Sequence, residues 1–215
     1  MNGTRDPIAQ RLAASVPIAV DEPGLYWAAV AIIVAPDPDA ILLIRRAHRE
    51  GDPWSGHMAL PGGRVEPADH DLTATAMREA AEEVGIALRE DWLLGTLDDV
   101  APRTPVLPPV AVRPFVFRVP ARPTLQLNAE VAEAQWLELA WLADPSVRQE
   151  IPIEAAGGSR RYPAFVVPGG VVWGMTERIL SLFLERIGAP ASLFGVDDAA
   201  SRHRARGPDE EQQGE

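Results

Sequence analysis

No cysteine occurs in the 215 residues, so disulfides, thiolate zinc sites and cysteine nucleophiles are all excluded. Any metal the chain binds must sit on oxygen or imidazole, although the absence says little about compartment. Long hydrophobic runs are missing as well. No apolar stretch reaches the roughly 18 residues needed to span a bilayer, and the opening MNGTRDPIAQRLAAS lacks the charged-then-apolar layout of a signal peptide. These features predict a cytoplasmic protein with no membrane partner. Positive charge is also scarce: 20 Lys and Arg against 31 Asp and Glu give a formal net charge of -11. That balance argues against a nucleic-acid polymer as partner, because displacing counterions from a phosphate backbone needs clustered Lys and Arg. Small anions stay within reach if a divalent cation and a few local arginines mask the charge.

What is present fits one ordinary globular domain, with 47% hydrophobic and 24% charged residues. Ile8, Leu12 and Ala13 stand at helical spacing before Pro17 and Pro23, which predicts a short leading helix and a linker over residues 1–23. The main domain is expected over 24–190. Residues 27–34 and 41–44 are continuous apolar, β-branched runs separated by Pro-Asp-Pro-Asp, the pattern of a hairpin of core strands. A loop is expected over 47–64, then a helix over about 71–84 that ends at Gly85 in the left-handed cap. Further strands are expected at 92–98, 110–119 and 133–138, with a short helix from Leu139. Residues 161–167 and 171–173 flank Pro168-Gly169-Gly170 as strand, turn and strand, and an amphipathic helix follows over about 174–187. Residues 191–215 are polar and charged towards their end and read as a disordered tail.

The chemistry concentrates in the loop and the helix after it. The segment Arg78-Glu79-Ala80-Ala81-Glu82-Glu83-Val84-Gly85-Ile86 places three carboxylates at i, i+3 and i+4. At about 100° per residue these fall in one arc, with Thr73, Met77, Ala80, Ala81 and Val84 predicted on the opposite, core-facing side. Hard divalent cations take oxygen ligands, and Mg²⁺ typically uses one or two carboxylates plus water and substrate phosphates. An isolated glutamate triplet is also compatible with a plain solvated face, since like charges one turn apart cost only about 0.2–0.5 kcal/mol. The surroundings decide otherwise. Upstream lies Pro61-Gly62-Gly63, where paired glycines permit close approach to the main chain.

Together, Gly63 and the Arg-Glu-x-x-Glu-Glu-x-Gly-Ile segment resemble the Nudix box. The spacing from Gly63 to Arg78 is one residue longer than usual, and His70 stands where the box has a glutamate, with Asp69 or Asp71 as its substitute. The longer spacing is similar to that of the coenzyme A pyrophosphatase branch. Arg46, Gly56 and Pro61-Gly62-Gly63 match that branch's signature, whereas Asp52 and Leu60 replace its second arginine and its phenylalanine. Residues 162–165 and 172–180 also look like its terminal strand and helix, so the resemblance covers roughly 25–187.

The resemblance implies an α/β fold, an α/β/α sandwich around a mixed β-sheet. It implies Glu79, Glu82 and Glu83 as Mg²⁺ or Mn²⁺ ligands and Arg78 as the partner that holds loop and helix together. The expected activity is metal-dependent hydrolysis of a diphosphate bond in a nucleoside diphosphate-X substrate, coenzyme A or a derivative first. ADP-ribose or another nucleotide-sugar is the alternative, and a catalytically silent binding module is a further one. Arg45, Arg46 and Arg49 are candidate phosphate contacts by their bidentate chemistry, with plain solvent exposure as the alternative for each taken singly, and Gly62 and Gly63 are candidates beside them. The general base is Glu82 or Glu83, with Glu130 from a later loop as a third choice. His48 and His57 read as polar loop residues, Trp54 as a core cap ahead of a base-stacking ring, and Trp136, Trp141 and Trp173 as core. Dimerisation through apolar strands or the leading helix is left open.

Overall fold

The computed structural model describes residues 6–51, 54–101, 109–155 and 158–189. The tail expected at 191–215, and Asp52, lie outside the described residues. Helix α1 (Pro7–Leu12) is N-capped by Asp6, whose carboxylate accepts from the N–H groups of Ile8 and Ala9 at 2.8 and 3.2 Å. Ile8 and Leu12 are buried, while Ala13 is exposed.

Strand β1 (Tyr26–Ala35) is central, pairing with β2 (Ala40–Arg46) and parallel with β6 (Val110–Arg118). Its unbroken apolar run follows from being covered on both faces. Ala29, Ala31, Ile33 and Ala35 pack with Ala76, Ala80 and Val84 of α2 (Leu72–Val84), whereas Ile32 and Val34 pack with Ile179, Leu180 and Phe183 of α4 (Gly174–Arg186). Two helices thus enclose one mixed sheet, the α/β/α sandwich expected. Its main path runs from β3 (Met58–Ala59) through β2, β1 and β6 to β5 (Leu93–Thr96), with β4 (Gly62–Arg64) also on β1 and β7 (Val131–Glu138) also on β2. Strand β5 is Leu93–Thr96, preceded by a 3₁₀ turn over Glu90–Trp92, and the short helix α3 is Leu139–Leu142.

Two expectations need correction, and one strand was not foreseen. The loop over 47–64 contains two short strands, β3 (Met58–Ala59) and β4 (Gly62–Arg64). The glycine pair lies flat against β1 in the register Ala29↔Gly63 and Val30↔Gly62, a non-local pairing that no local pattern announces. A Cβ on Gly62 would stand 2.3 Å from the carbonyl oxygen of Ala29, so the backbone of β1 fills the space a side chain would need. Secondly, β8 (Arg148–Ala155) joins β9 (Gly158–Val167) and β10 (Gly170–Trp173) in an antiparallel sheet ordered β10-β9-β8. Gln149, Glu150 and Pro152 are poor strand formers, and pairing with β9 from Arg148↔Phe165 onward supplies what propensity lacks. Thirdly, the buried face of α2 is Thr75, Ala76, Ala80, Glu83 and Val84, with Ala81 exposed and Thr73 and Met77 half-buried. The helix is therefore rolled so that one of its glutamates goes inward.

Candidate active site

Helix α2 is tightly delimited. Asp71 caps its start, accepting from the Ala74 N–H at 2.7 Å, and Gly85 ends it at φ +73° with its N–H on the carbonyls of Ala80 and Ala81. Its polar residues then meet the glycine strand. The N–H of Gly62 donates to Oε2 of Glu83 at 2.9 Å. At Gly63 a Cβ would lie 2.1 Å from Oε1 of Glu79, so the glycine leaves room for that carboxylate. The close approach expected at this pair is made by the chain's own carboxylate and strand.

Arg78 ties these parts together. Its Nε and Nη2 donate to the two oxygens of Asp69 at 3.0 and 3.1 Å, and Nη2 also donates to the carbonyl of Arg64 at 3.0 Å. Its Nη1 donates to Oε1 of Glu79 at 3.0 Å and to Oε2 of Glu82 at 3.1 Å. Asp69 is the acidic partner in the loop. Its Oδ2 also accepts from the Glu66 N–H and the Thr75 hydroxyl, both at 2.9 Å. Hydrogen bonds from Arg78, with help from Glu66 and Thr75, hold its carboxyl down at about 2 against the opposing cost of burial. Asp71 is occupied as the helix cap, and the side chain of His70 is 74% exposed.

Between the glycine strand, α2 and the first turn of α4 lies a cavity of about 410 Å³. Glu79, Glu83, Glu130, Arg46, Gly62 and Gly63 line it. Glu83 is only 2% exposed, and its carboxyl is pushed up to about 7. Burial is the main cause; the charges of Glu79 and Glu130 add to it, while the Gly62 N–H and Arg46 oppose it. Glu79 is raised in the same direction, again chiefly by burial and against the pull of Arg78.

The expected site residues are brought together unevenly. Glu82 does not line the cavity; it is engaged by Arg78 and its side chain is 54% exposed. Of the three arginines, Arg46 lines the cavity. Arg49 sits 3.4 Å from Oε1 of Glu130 with a largely exposed side chain. Arg45 leaves the site altogether, donating to Oε2 of Glu133 at 3.1 Å and to the carbonyl of Gly169. Trp54, His57 and Trp173 are half-buried and line the cavity, so Trp173 is a wall residue where sequence reasoning placed it in the core. Trp136 and Trp141 do pack against the two core clusters. Met175 and Thr176 of α4 also face the cavity and were not anticipated. The one local signal for them is Gly174, directly after a strand and at φ +69°, which turns the chain into the helix at the cavity wall.

Among the described residues, no three His, Cys, Asp or Glu side chains are gathered into a complete metal cage. The donor set nevertheless fits a hard divalent cation. Oε2 of Glu79 and Oε1 of Glu83 accept no hydrogen bond from any described residue, and they belong to two repelling carboxylates in one cavity. Mg²⁺ and Mn²⁺ suit such oxygen donors, and Mg²⁺ commonly completes its shell with water and substrate phosphate.

Comparison with known proteins gives a consistent family. A profile of the NUDIX domain matches residues 25–155. The chain is 40% identical over 132 residues to an uncharacterized protein of Schizosaccharomyces pombe, covering 59% of this chain and 40% of that one. It is 29% identical over 161 residues to an uncharacterized Nudix hydrolase, NudL, of Photorhabdus laumondii, covering 74% and 84%. It is 33% identical over 150 residues to the mitochondrial coenzyme A diphosphatase NUDT8 of Homo sapiens, covering 68% and 62%. The matched region is thus less than two thirds of the yeast and human relatives. Among solved structures, a MutT/nudix family protein from Enterococcus faecalis superimposes with a TM-score of 0.52 at 15% identity, covering 85% of this chain and 78% of that chain.

Proposed function

The chain belongs to the NUDIX domain family, and from that premise we propose that its cavity hydrolyses the diphosphate bond of a nucleoside diphosphate-X substrate. The observation that carries this reading is the pairing of Glu79 and Glu83, held by Arg78 and the Gly62 N–H, at a cavity they share with Arg46 and Glu130. Glu79 and Glu83 would hold the Mg²⁺ or Mn²⁺, whereas Glu82, the third carboxylate of the motif and an expected ligand, stands outside the cavity on Arg78. When bound, that ion offsets phosphate charge and lowers the pKa of an attacking water.

The rest falls to the chain itself. Arg46 supplies a guanidinium for phosphate oxygens in the same cavity. Arg78 positions the metal-binding carboxylate of Glu79 through its Nη1 and anchors the loop through Asp69. A carboxylate takes the water's proton as oxygen bonds to phosphorus. The bridging P–O bond breaks, and its electron pair leaves with the departing phosphate. Glu83, whose carboxylate lines the cavity, is the first choice for the base, and Glu130 is the second.

For the identity of X, coenzyme A or a derivative is the leading choice, giving 3′,5′-ADP and 4′-phosphopantetheine. It rests on the signature residues Arg46, Gly56 and Pro61-Gly62-Gly63 and on the human relative's named activity. ADP-ribose or another nucleotide-sugar is the rival. Incubating the protein with Mg²⁺ or Mn²⁺ and a panel of both, then weighing the products by mass spectrometry, tests the reading. Cleavage of coenzyme A ahead of ADP-ribose supports it; the reverse order reassigns the substrate, and no cleavage of any member refutes the activity. No described helix is long and apolar enough to cross a membrane. The cytoplasmic location stays part of the proposal, to be checked by cell fractionation, since the human relative is named mitochondrial.

A further inference from the structure

Glu79, Glu83, Glu130, Arg46 and Arg64 give the cavity its charged lining, and Val30, Val112, Met58, Met175 and Trp173 contribute apolar surface to the same space. The phosphates of a substrate are drawn to the charged groups, which leaves the apolar surface for an uncharged part of the molecule. Trp173 closes β10 and caps the start of α4, in the segment after residue 155 where the shared domain match ends. It is not a loose surface ring. The His57 ring meets it edge-on with centroids 5.1 Å apart and an interplanar angle of 61°, and Tyr162 meets it at 5.9 Å and 47°. The register Trp173↔Ala164 fixes its backbone to β9, whose Ala164 is fully buried. A half-buried indole that lines the cavity and is so held loses little further conformational freedom on binding, which is a requirement for a stacking platform.

We infer that Trp173 is the platform on which the nucleobase of the substrate stacks, so that β9, β10 and the start of α4 set which molecules are bound while α2 and the glycine strand act on their phosphates. This deepens the hydrolase reading of the same cavity and rests on it for the orientation of the substrate. Stacking of a base on an aromatic side chain contributes about 1–3 kcal/mol, and about 1.4 kcal/mol corresponds to a tenfold change in affinity.

The test is an equilibrium titration with two probes that differ only by the base, adenosine 5′-monophosphate and ribose 5-phosphate, followed by intrinsic tryptophan fluorescence and by calorimetry. In the wild-type protein the adenosine compound binds about tenfold or more tightly than the ribose phosphate and quenches the fluorescence. Trp173→Phe keeps most of that preference and loses most of the quenching, and Trp173→Ala brings the two affinities together. If Trp173→Ala weakens both probes equally, or weakens neither, the platform assignment fails. It also fails if the preference survives in Trp173→Ala and disappears in Trp54→Ala. Trp173→Phe guards against a folding defect, because it preserves a planar ring among His57 and Tyr162. Neither probe contains a diphosphate, so the stacking result stands apart from turnover. Absence of hydrolysis with the base preference intact would remove the hydrolase reading alone.

Discussion

Two buried glutamates on two helices of equal length behave very differently. Glu83 on α2 and Glu177 on α4 are 2% and 5% exposed, and burial raises the carboxyl of each above its ordinary value. Glu177 is answered by its neighbours: Nη2 of Arg148 and the Ser181 hydroxyl both donate to its Oε1 at 2.8 Å, which joins α4 to β8. Glu83 receives one backbone N–H and faces two further carboxylates in a cavity. The difference teaches that burial alone does not make a carboxylate reactive. What matters is whether the fold supplies the countercharge or leaves it to a ligand.

The contrast is broken most severely by removing the charge of Glu83, which is met by one backbone N–H and the pull of Arg46 but not by a hydrogen-bonded pair like that of Glu177. Glu83→Gln keeps an oxygen for the Gly62 N–H, so thermal melting should be little changed while metal-dependent turnover falls by at least about 10²-fold. Turnover at the wild-type rate would refute the role given to Glu83. Next in size is the opposite case. Arg148→Met leaves Glu177 buried with the Ser181 hydroxyl and the charge of Arg178 but without its ion-pair partner, and urea denaturation at neutral pH should show a loss of about 3–5 kcal/mol. A loss near zero would mean that the two glutamates do not differ in the way described.

Asp69 sharpens the comparison, because its carboxylate is also shielded from solvent and yet its pKa moves the other way. Its side chain is 4% exposed, and Arg78 holds the carboxyl near 2 against an ordinary value of 3.8. A depressed native pKa stabilises the fold when the group is ionised, so the contribution is complete above about pH 4 and is lost as pH falls through the folded value near 2. Acid titration of stability should therefore be steeper in the wild-type protein than in Asp69→Asn between about pH 4 and pH 2. Equal slopes would show that the Arg78–Asp69 link does not hold the loop. The smallest effect separates two adjacent arginines. Arg46→Ala should raise KM for a diphosphate substrate by about tenfold, as loss of one charge-assisted contact does. Arg45→Ala should leave kcat and KM alone and cost less than about 1 kcal/mol of stability, in line with a pair to the exposed Glu133.

Much of this was legible in the chain before any coordinates. The strand over Tyr26–Ala35 reads as a core strand from the apolar run at 27–34, and α2 reads from Asp71 to Gly85 because capping is local chemistry. Glu79 and Glu83, one turn apart, must share a helix side, and Gly62-Gly63 had to be glycine for some close approach. Less visible was β8, whose strand character comes from a partner rather than from its own residues. The roll of α2 about its axis was also out of reach, since periodicity orders residues around a helix without saying which face the sheet will take.

Helical spacing alone therefore determined that three carboxylates and an arginine would lie near one another, whereas the place of the glycine pair beside them was implied only by the resemblance to the Nudix box. Tertiary structure decided which atoms of that group meet. It sent Glu82 to Arg78 and Glu83 into the cavity, chose Asp69 over His70 and Asp71, and parted Arg45 from Arg46. It also brought Trp173 to the wall from a sheet more than a hundred residues on from β4. The physical reason is the reach of each interaction. Helix caps and side-chain periodicity act within a turn or two, whereas the register of Gly62 on Val30 and the seating of α4 are settled only when distant segments pack.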